Sequence, residues 1–172
     1  ISRLKRVPLS YDPRHSSSMK SSPLTIALGG MIAMATCMGI GRFVYTPILP
    51  YMSEALELTE GDAGLIASAN FLGYLVGSLV GATGILRGDR RRWALSALAV
   101  SAATTAAMAI TISFPAFLIL RFFGGVTSGL VMVFCSAIVF DKLAAASRPE
   151  LSHYHFAGVG LGMAVSAALV SI

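Results

Sequence analysis

From Leu24 onward the chain is a succession of long apolar runs parted by very short polar breaks. An α-helix needs about 20 consecutive apolar residues to cross a hydrocarbon core ~30 Å thick. In that medium every backbone amide must be hydrogen-bonded within its own segment, which leaves helices for a chain patterned this way. The runs cover about 24–52, 62–86, 93–112, 115–140 and 155–172. The expected fold is therefore an all-α integral membrane protein with five transmembrane helices. Composition agrees: 55% of the 172 residues are apolar and 12% are charged, against about 25% charged in soluble domains. The same numbers argue against disorder, because such a chain can bury ample apolar surface.

Residues 1–23 differ from the rest, being basic, rich in Ser and Pro, and without helical periodicity. They read as a disordered N-terminal tail. Met19-Lys20 looks like an ordinary bacterial start, which would make 1–18 an upstream extension; a genuine cytoplasmic tail is the other reading. No signal peptide fits, since the apolar stretch after the tail is too long. At the other end the fifth run is still apolar at Ile172, with no charged or aromatic flank. The chain is expected to be truncated there.

Eleven of the 13 Lys and Arg residues occupy alternate connections. The tail has Arg3, Lys5, Arg6, Arg14 and Lys20, and the break at 53–62 has none. Arg87, Arg90, Arg91 and Arg92 fill 87–92, the break at 111–115 has none, and Lys142 and Arg148 lie in 141–154. This is the positive-inside pattern, and it predicts a multi-pass protein of a bacterial inner membrane with a cytoplasmic N-terminus. The net charge of +5 is then a matter of topology. With no Lys/Arg stripe interleaved with aromatics, a nucleic-acid partner is not expected; the expected partner is the lipid bilayer.

Two arginines remain, Arg42 and Arg121, both inside apolar runs. Each costs at least about 2.5–3.5 kcal/mol to insert unless it meets a wet cavity or a partner. Arg42 lies about ten residues before the outer end of its run and Arg121 about six after the outer start of its own, so both sit at similar depth at 1.5 Å per residue. They are expected to line a shared polar cavity that attracts an anionic solute; otherwise each satisfies carbonyls at a bent helix end or snorkels outward. Near Arg42, Gly39 and Gly41 permit close approach, and Pro47 and Pro50 predict a bend in the second half of the run. Tyr45 places a hydroxyl beside Arg42, and Asn70 and Tyr74 on the second run could reach the same cavity. Gly73, Gly77 and Gly81 on the second run, Gly125 and Gly129 on the fourth, and Gly158 and Gly162 on the fifth recur every four residues. Such small-residue series pack membrane helices closely.

Other chemistry finds little support. The glycines at 158, 160 and 162 come after no strand, so they are not a dinucleotide fingerprint, and no phosphate-binding loop is present. No nucleophile elbow or buried acid suggests hydrolysis, so no enzyme and no cofactor is expected. His153 and His155 are too few to hold a metal; as part of the loop entering the fifth helix, His155 could serve proton-linked gating. Cys37 and Cys135 have no ligand spacing and read as packing residues.

The string Gly39-Ile-Gly-Arg-Phe-Val-Tyr-Thr-Pro-Ile-Leu-Pro-Tyr-Met52, together with His155-Phe-Ala-Gly-Val-Gly-Leu-Gly162, resembles the first- and fifth-helix signatures of the YbfB/YjiJ-type transporters of the major facilitator superfamily. Arg121-Phe-Phe-Gly-Gly125 is similar to that superfamily's fourth-helix RxxxG motif. The segment from Gly84 to Arg92 resembles a degraded form of its loop between helices two and three, which implies a gating role for Asp89, Arg90, Arg91 and Arg92. The antiporter-type proline of helix five is missing. The resemblance implies twelve helices in two halves, inverted three-helix repeats and alternating access, with this chain as the N-terminal fragment. The expected function is secondary active transport of a small solute, an organic anion by the two arginines, driven by protons. The alternative is a non-transporting membrane scaffold or sensor, or an inactive fragment. Oligomeric state is left open.

Overall fold

The computed structural model describes residues 22–171. Most of the tail at 1–23, with the suspected start at Met19, and the last residue, Ile172, lie outside the described residues. Five helices succeed one another: α1 (Pro23–Leu56), α2 (Glu60–Ala82), α3 (Arg90–Met108), α4 (Phe114–Ala145) and α5 (Ser152–Val170), the last entered through a 3-10 turn at Pro149–Leu151. No strand occurs among the described residues.

Local chemistry sets the helix starts. Ser22 Oγ accepts from Thr25 N at 3.2 Å and Pro23 opens α1, where a missing N–H costs nothing. Thr59 and Asp62 form a reciprocal capping box on α2, each side chain accepting the other's backbone N–H at 3.1 Å. Asp89 Oδ1 accepts from Arg91 N at 2.9 Å. That cap draws Arg90, Arg91 and Arg92 into the first turn of α3, so the helix begins three residues before the expected 93.

The other boundaries also depart from expectation. α1 runs to Leu56 rather than 52 and turns off at Glu57, which holds a left-handed φ of 52°. Its irregularities precede the prolines: a π-helical segment at Ala35–Ile40 and a break at Val44, with Pro50 carried inside the helix. A π segment carries one extra residue and rotates the remainder of the helix by about 100°, so it re-aims Arg42. α2 stops at Ala82 instead of 86, because the chain leaves it through Gly84 (φ 68°) and Gly88 (φ 112°), conformations that suit glycine. α3 ends at Met108, short of 112. α4 continues to Ala145 instead of 140, carrying Asp141 into the helix. His153 and His155 lie within α5, not in a loop, because the 3-10 turn starts the helix at Ser152.

Four helices are long and apolar enough to cross a membrane. α3 has 19 residues, beginning with three arginines and otherwise dominated by Ala, Ser and Thr, and falls short in hydropathy. Its small residues Ala94, Ala97 and Ser101 are buried, and Ala97 packs with Cys37 and Val131. Meanwhile Leu65, Phe71, Leu72, Leu75, Leu79, Ile119 and Phe123 are exposed. An apolar exterior around a small-residue and polar interior fits a lipid solvent, not water.

Two seams share one construction. α2 seats on α4 where Cβ atoms added at Gly73 and Gly77 would collide with the carbonyls of Phe122 and Val126. Reciprocally, Gly125 and Gly129 face the backbone at Asn70, Tyr74 and Ser78, and a Cβ added at Gly81 would lie 3.2 Å from the Val133 side chain. α5 seats on α1 in the same way, Gly158 against the Met31 carbonyl and Gly162 against Ala35 and Gly39. Second-on-fourth and fifth-on-first is the exchange expected of two related three-helix repeats.

Candidate functional site

The π segment and the break at Val44 flank Gly41–Phe43, a single turn that presents Arg42 to α2. The Arg42 guanidinium is buried among aromatic faces: 4.1 Å from the Tyr74 ring centroid, 4.7 Å from Phe71 and 5.4 Å from Phe43. Ring quadrupoles attract a cation without consuming its N–H donors. Arg121, on α4, is buried too, with its guanidinium 4.2 Å from the Tyr45 ring centroid.

Arg121 Nη1 donates to the carbonyl oxygen of Arg42 at 3.3 Å, so the two residues lie at one depth. Arg121 Nε is buried with no hydrogen-bond partner among the described residues. Asn70 Nδ2 donates to the Arg121 carbonyl at 3.0 Å, tying α2 to α4 just where Gly125 lets them touch. Tyr45 Oη donates to the Ala63 carbonyl at 3.0 Å, which orients its ring beneath Arg121.

Arg42, Tyr45, Asn70 and Arg121 thereby border one small cavity of about 80 Å³, with Phe71 on its wall. Arg121 also borders a larger cavity of about 510 Å³ between α1, α3 and α4, lined mainly by apolar side chains. No acid is among the buried residues described, so two guanidinium charges face the small cavity without a counter-ion. Two like charges this close repel in a low dielectric, and an anion between them relieves that repulsion.

Residues 34–172 match the family described as "Uncharacterised MFS-type transporter YbfB". The chain belongs to this family of the major facilitator superfamily. It is also similar to the 3-(3-hydroxy-phenyl)propionate transporter of Escherichia coli (strain K12), at 27% identity over 152 residues, which is 88% of this chain and 38% of that protein. The chain thus spans well under half the length of that curated relative. No solved structure matches it. Membership in this major facilitator family, with the apolar helices, makes this a multi-pass membrane protein.

At the other end of this transporter-family chain, the charges named for gating do not form one cluster. Asp89 caps α3 and stands 4.0 Å from Arg92, while Arg90 Nη1 bonds Asp141 Oδ2 at 3.1 Å, joining the start of α3 to the end of α4. Arg91 makes no ion pair among the described residues. Asp141 was not expected as a partner: ending the fourth run at 140 put it in a loop. Its nearness to an arginine-rich end was the available signal. Phe43 and Phe71 were also missed, although Phe71 stands three residues before Tyr74, on the same helical face. Cys37 and Cys135 are free thiols; Cys37 Sγ donates to Ser128 Oγ at 3.6 Å.

Proposed function

We propose that the chain forms part of a secondary active transporter that moves a small organic anion across a bacterial inner membrane by alternating access. The observation that carries this reading is the pair of buried guanidiniums, Arg42 and Arg121, bordering one cavity with no buried acid beside them. Arg121 keeps a free Nε donor for a carboxylate, and Tyr45, Asn70 and Tyr74 position the two charges. The relative named for a phenylpropionate, itself an organic acid, supports the same class. The coupling ion in this reading is the proton, and the N-terminus is cytoplasmic, as the alternation of Lys and Arg implies. The Arg90–Asp141 pair joins the cytoplasmic ends of α3 and α4 in one of the two access states, with Asp89 capping α3 beside it.

The test is uptake by the full-length protein in proteoliposomes with an imposed pH gradient, using a phenylpropionate and a panel of small carboxylic acids. Arg42→Ala and Arg121→Ala are each expected to lower uptake at least tenfold, while Arg87→Ala leaves it within twofold. Wild-type uptake by both cavity variants would refute the anion site.

A further inference from the structure

A proton-driven carrier needs a group that takes up and releases a proton near neutral pH. The buried ionisable side chains among the described residues are Arg42, Arg121, Tyr45, Cys37 and His155. Guanidinium, phenol and thiol exchange protons well above neutrality, and no buried carboxylate is available. Among the described buried residues, His155 is the one with the right chemistry.

Its surroundings are unusual for a packing residue. His155 is 0% exposed, at the start of α5 where that helix meets α1 and α4. Nε2 shares a hydrogen bond with Ser136 Oγ of α4 at 3.0 Å. Nδ1 is buried and faces Gly30 of α1, whose backbone is its nearest polar neighbour and where an added Cβ would lie only 2.6 Å away. The rings of Phe140 and Phe156 flank it edge-on at 5.7 and 5.2 Å.

No charge on a neighbouring helix fixes its protonation. The Pro23–Met34 stretch of α1 has no titratable residue. On α4 the nearby groups are the part-buried Cys135 thiol and exposed Asp141 and Lys142, and around the start of α5 they are exposed Glu150, His153 and Tyr154. Arg121 stands 15 residues back along α4, about 22 Å away at helical rise.

We infer that His155 is the binding site of the coupling proton, and that its charging is tied to parting of the α1–α5 seam. This rests on the transport reading above. The neutral ring accepts one proton at its free nitrogen lone pair, forming an N–H bond and adding one positive charge, and releases the same proton in the other access state. An imidazolium cannot be housed in the dry wall of Gly30, Val139, Phe140 and Phe156. Water must reach it, and the route is the seam closed by Gly158 and Gly162 against Met31, Ala35 and Gly39, starting three residues along the helix from His155.

The test uses the full-length protein in proteoliposomes with a phenylpropionate as probe, comparing wild type, His155→Gln and Ser136→Ala. Two modes are measured: accumulation driven by a pH gradient, and counterflow exchange without one. The expected result is that His155→Gln keeps counterflow within threefold and loses accumulation at least tenfold. Ser136→Ala, the milder change, keeps both and shifts the pH profile of accumulation. Accumulation by His155→Gln at the wild-type level, or an unshifted Ser136→Ala profile, overturns the proposal alone. Absence of any uptake or counterflow by wild type across the acid panel overturns the transport reading, and the coupling role with it.

Discussion

Gly77→Ala, compared with Gly64→Ala on the same helix, isolates what the α2–α4 seam contributes. At Gly64 an added Cβ meets nothing within 4 Å. There the substitution acts through backbone entropy alone and is expected to stabilise by about 0.5–1 kcal/mol. At Gly77 the same methyl collides with the Val126 carbonyl and lies 2.9 Å from its Cα, backbone atoms that no rotamer change can move. The helices must separate, and overpacking of that kind costs about 1–3 kcal/mol. Set against the same propensity gain, Gly77→Ala is expected to destabilise by up to about 2.5 kcal/mol and to differ from Gly64→Ala by about 1–3 kcal/mol. Both variants would be unfolded reversibly from mixed micelles by rising SDS, with helix loss monitored by circular dichroism. Equal stabilities for the two variants would refute the reasoning that this seam is held by backbone-to-backbone approach.

Asn70→Ala removes a buried donor to the Arg121 carbonyl, and a loss of about 1 kcal/mol is expected in the same titration. Tyr45→Phe loses the bond to Ala63 but keeps the ring under Arg121. It should therefore retain most uptake, whereas Tyr45→Ala should not. The Arg90–Asp141 pair is exposed, at 59% and 72% for the two side chains, so a double-mutant cycle should give a coupling below about 1 kcal/mol.

Periodicity and the cost of charge in lipid account for most of what the residues alone reveal. Apolar runs of membrane length located the helices, and the four-residue spacing of Gly73, Gly77, Gly125, Gly158 and Gly162 marked the surfaces that now meet backbone to backbone. Arg42 and Arg121 stood out because each is costly where it lies, and their matched depth came from helical rise. The bend expected from Pro47 falls where α1 breaks at Val44, because Pro47 has no N–H to give the Phe43 carbonyl, whereas the π segment at Ala35–Ile40 has no residue signature and lies where Gly39 meets Gly162 of α5. His155 was assigned to a loop because a polar stretch precedes it; the 3-10 turn at Pro149–Leu151 folds that stretch into a helix start and buries the ring. The aromatic cage around Arg42 depends on α2 facing α1, a tertiary fact that spacing within one helix does not contain.

The proposed anion site consists of two uncompensated guanidiniums. Its most direct test is equilibrium binding to the purified full-length protein of a phenylpropionate and of its uncharged amide, in wild type and in Arg121→Gln. Wild type is expected to bind the acid at least tenfold more tightly than the amide, and Arg121→Gln to abolish the difference. Equal binding of acid and amide by wild type, or full discrimination retained by Arg121→Gln, would contradict it.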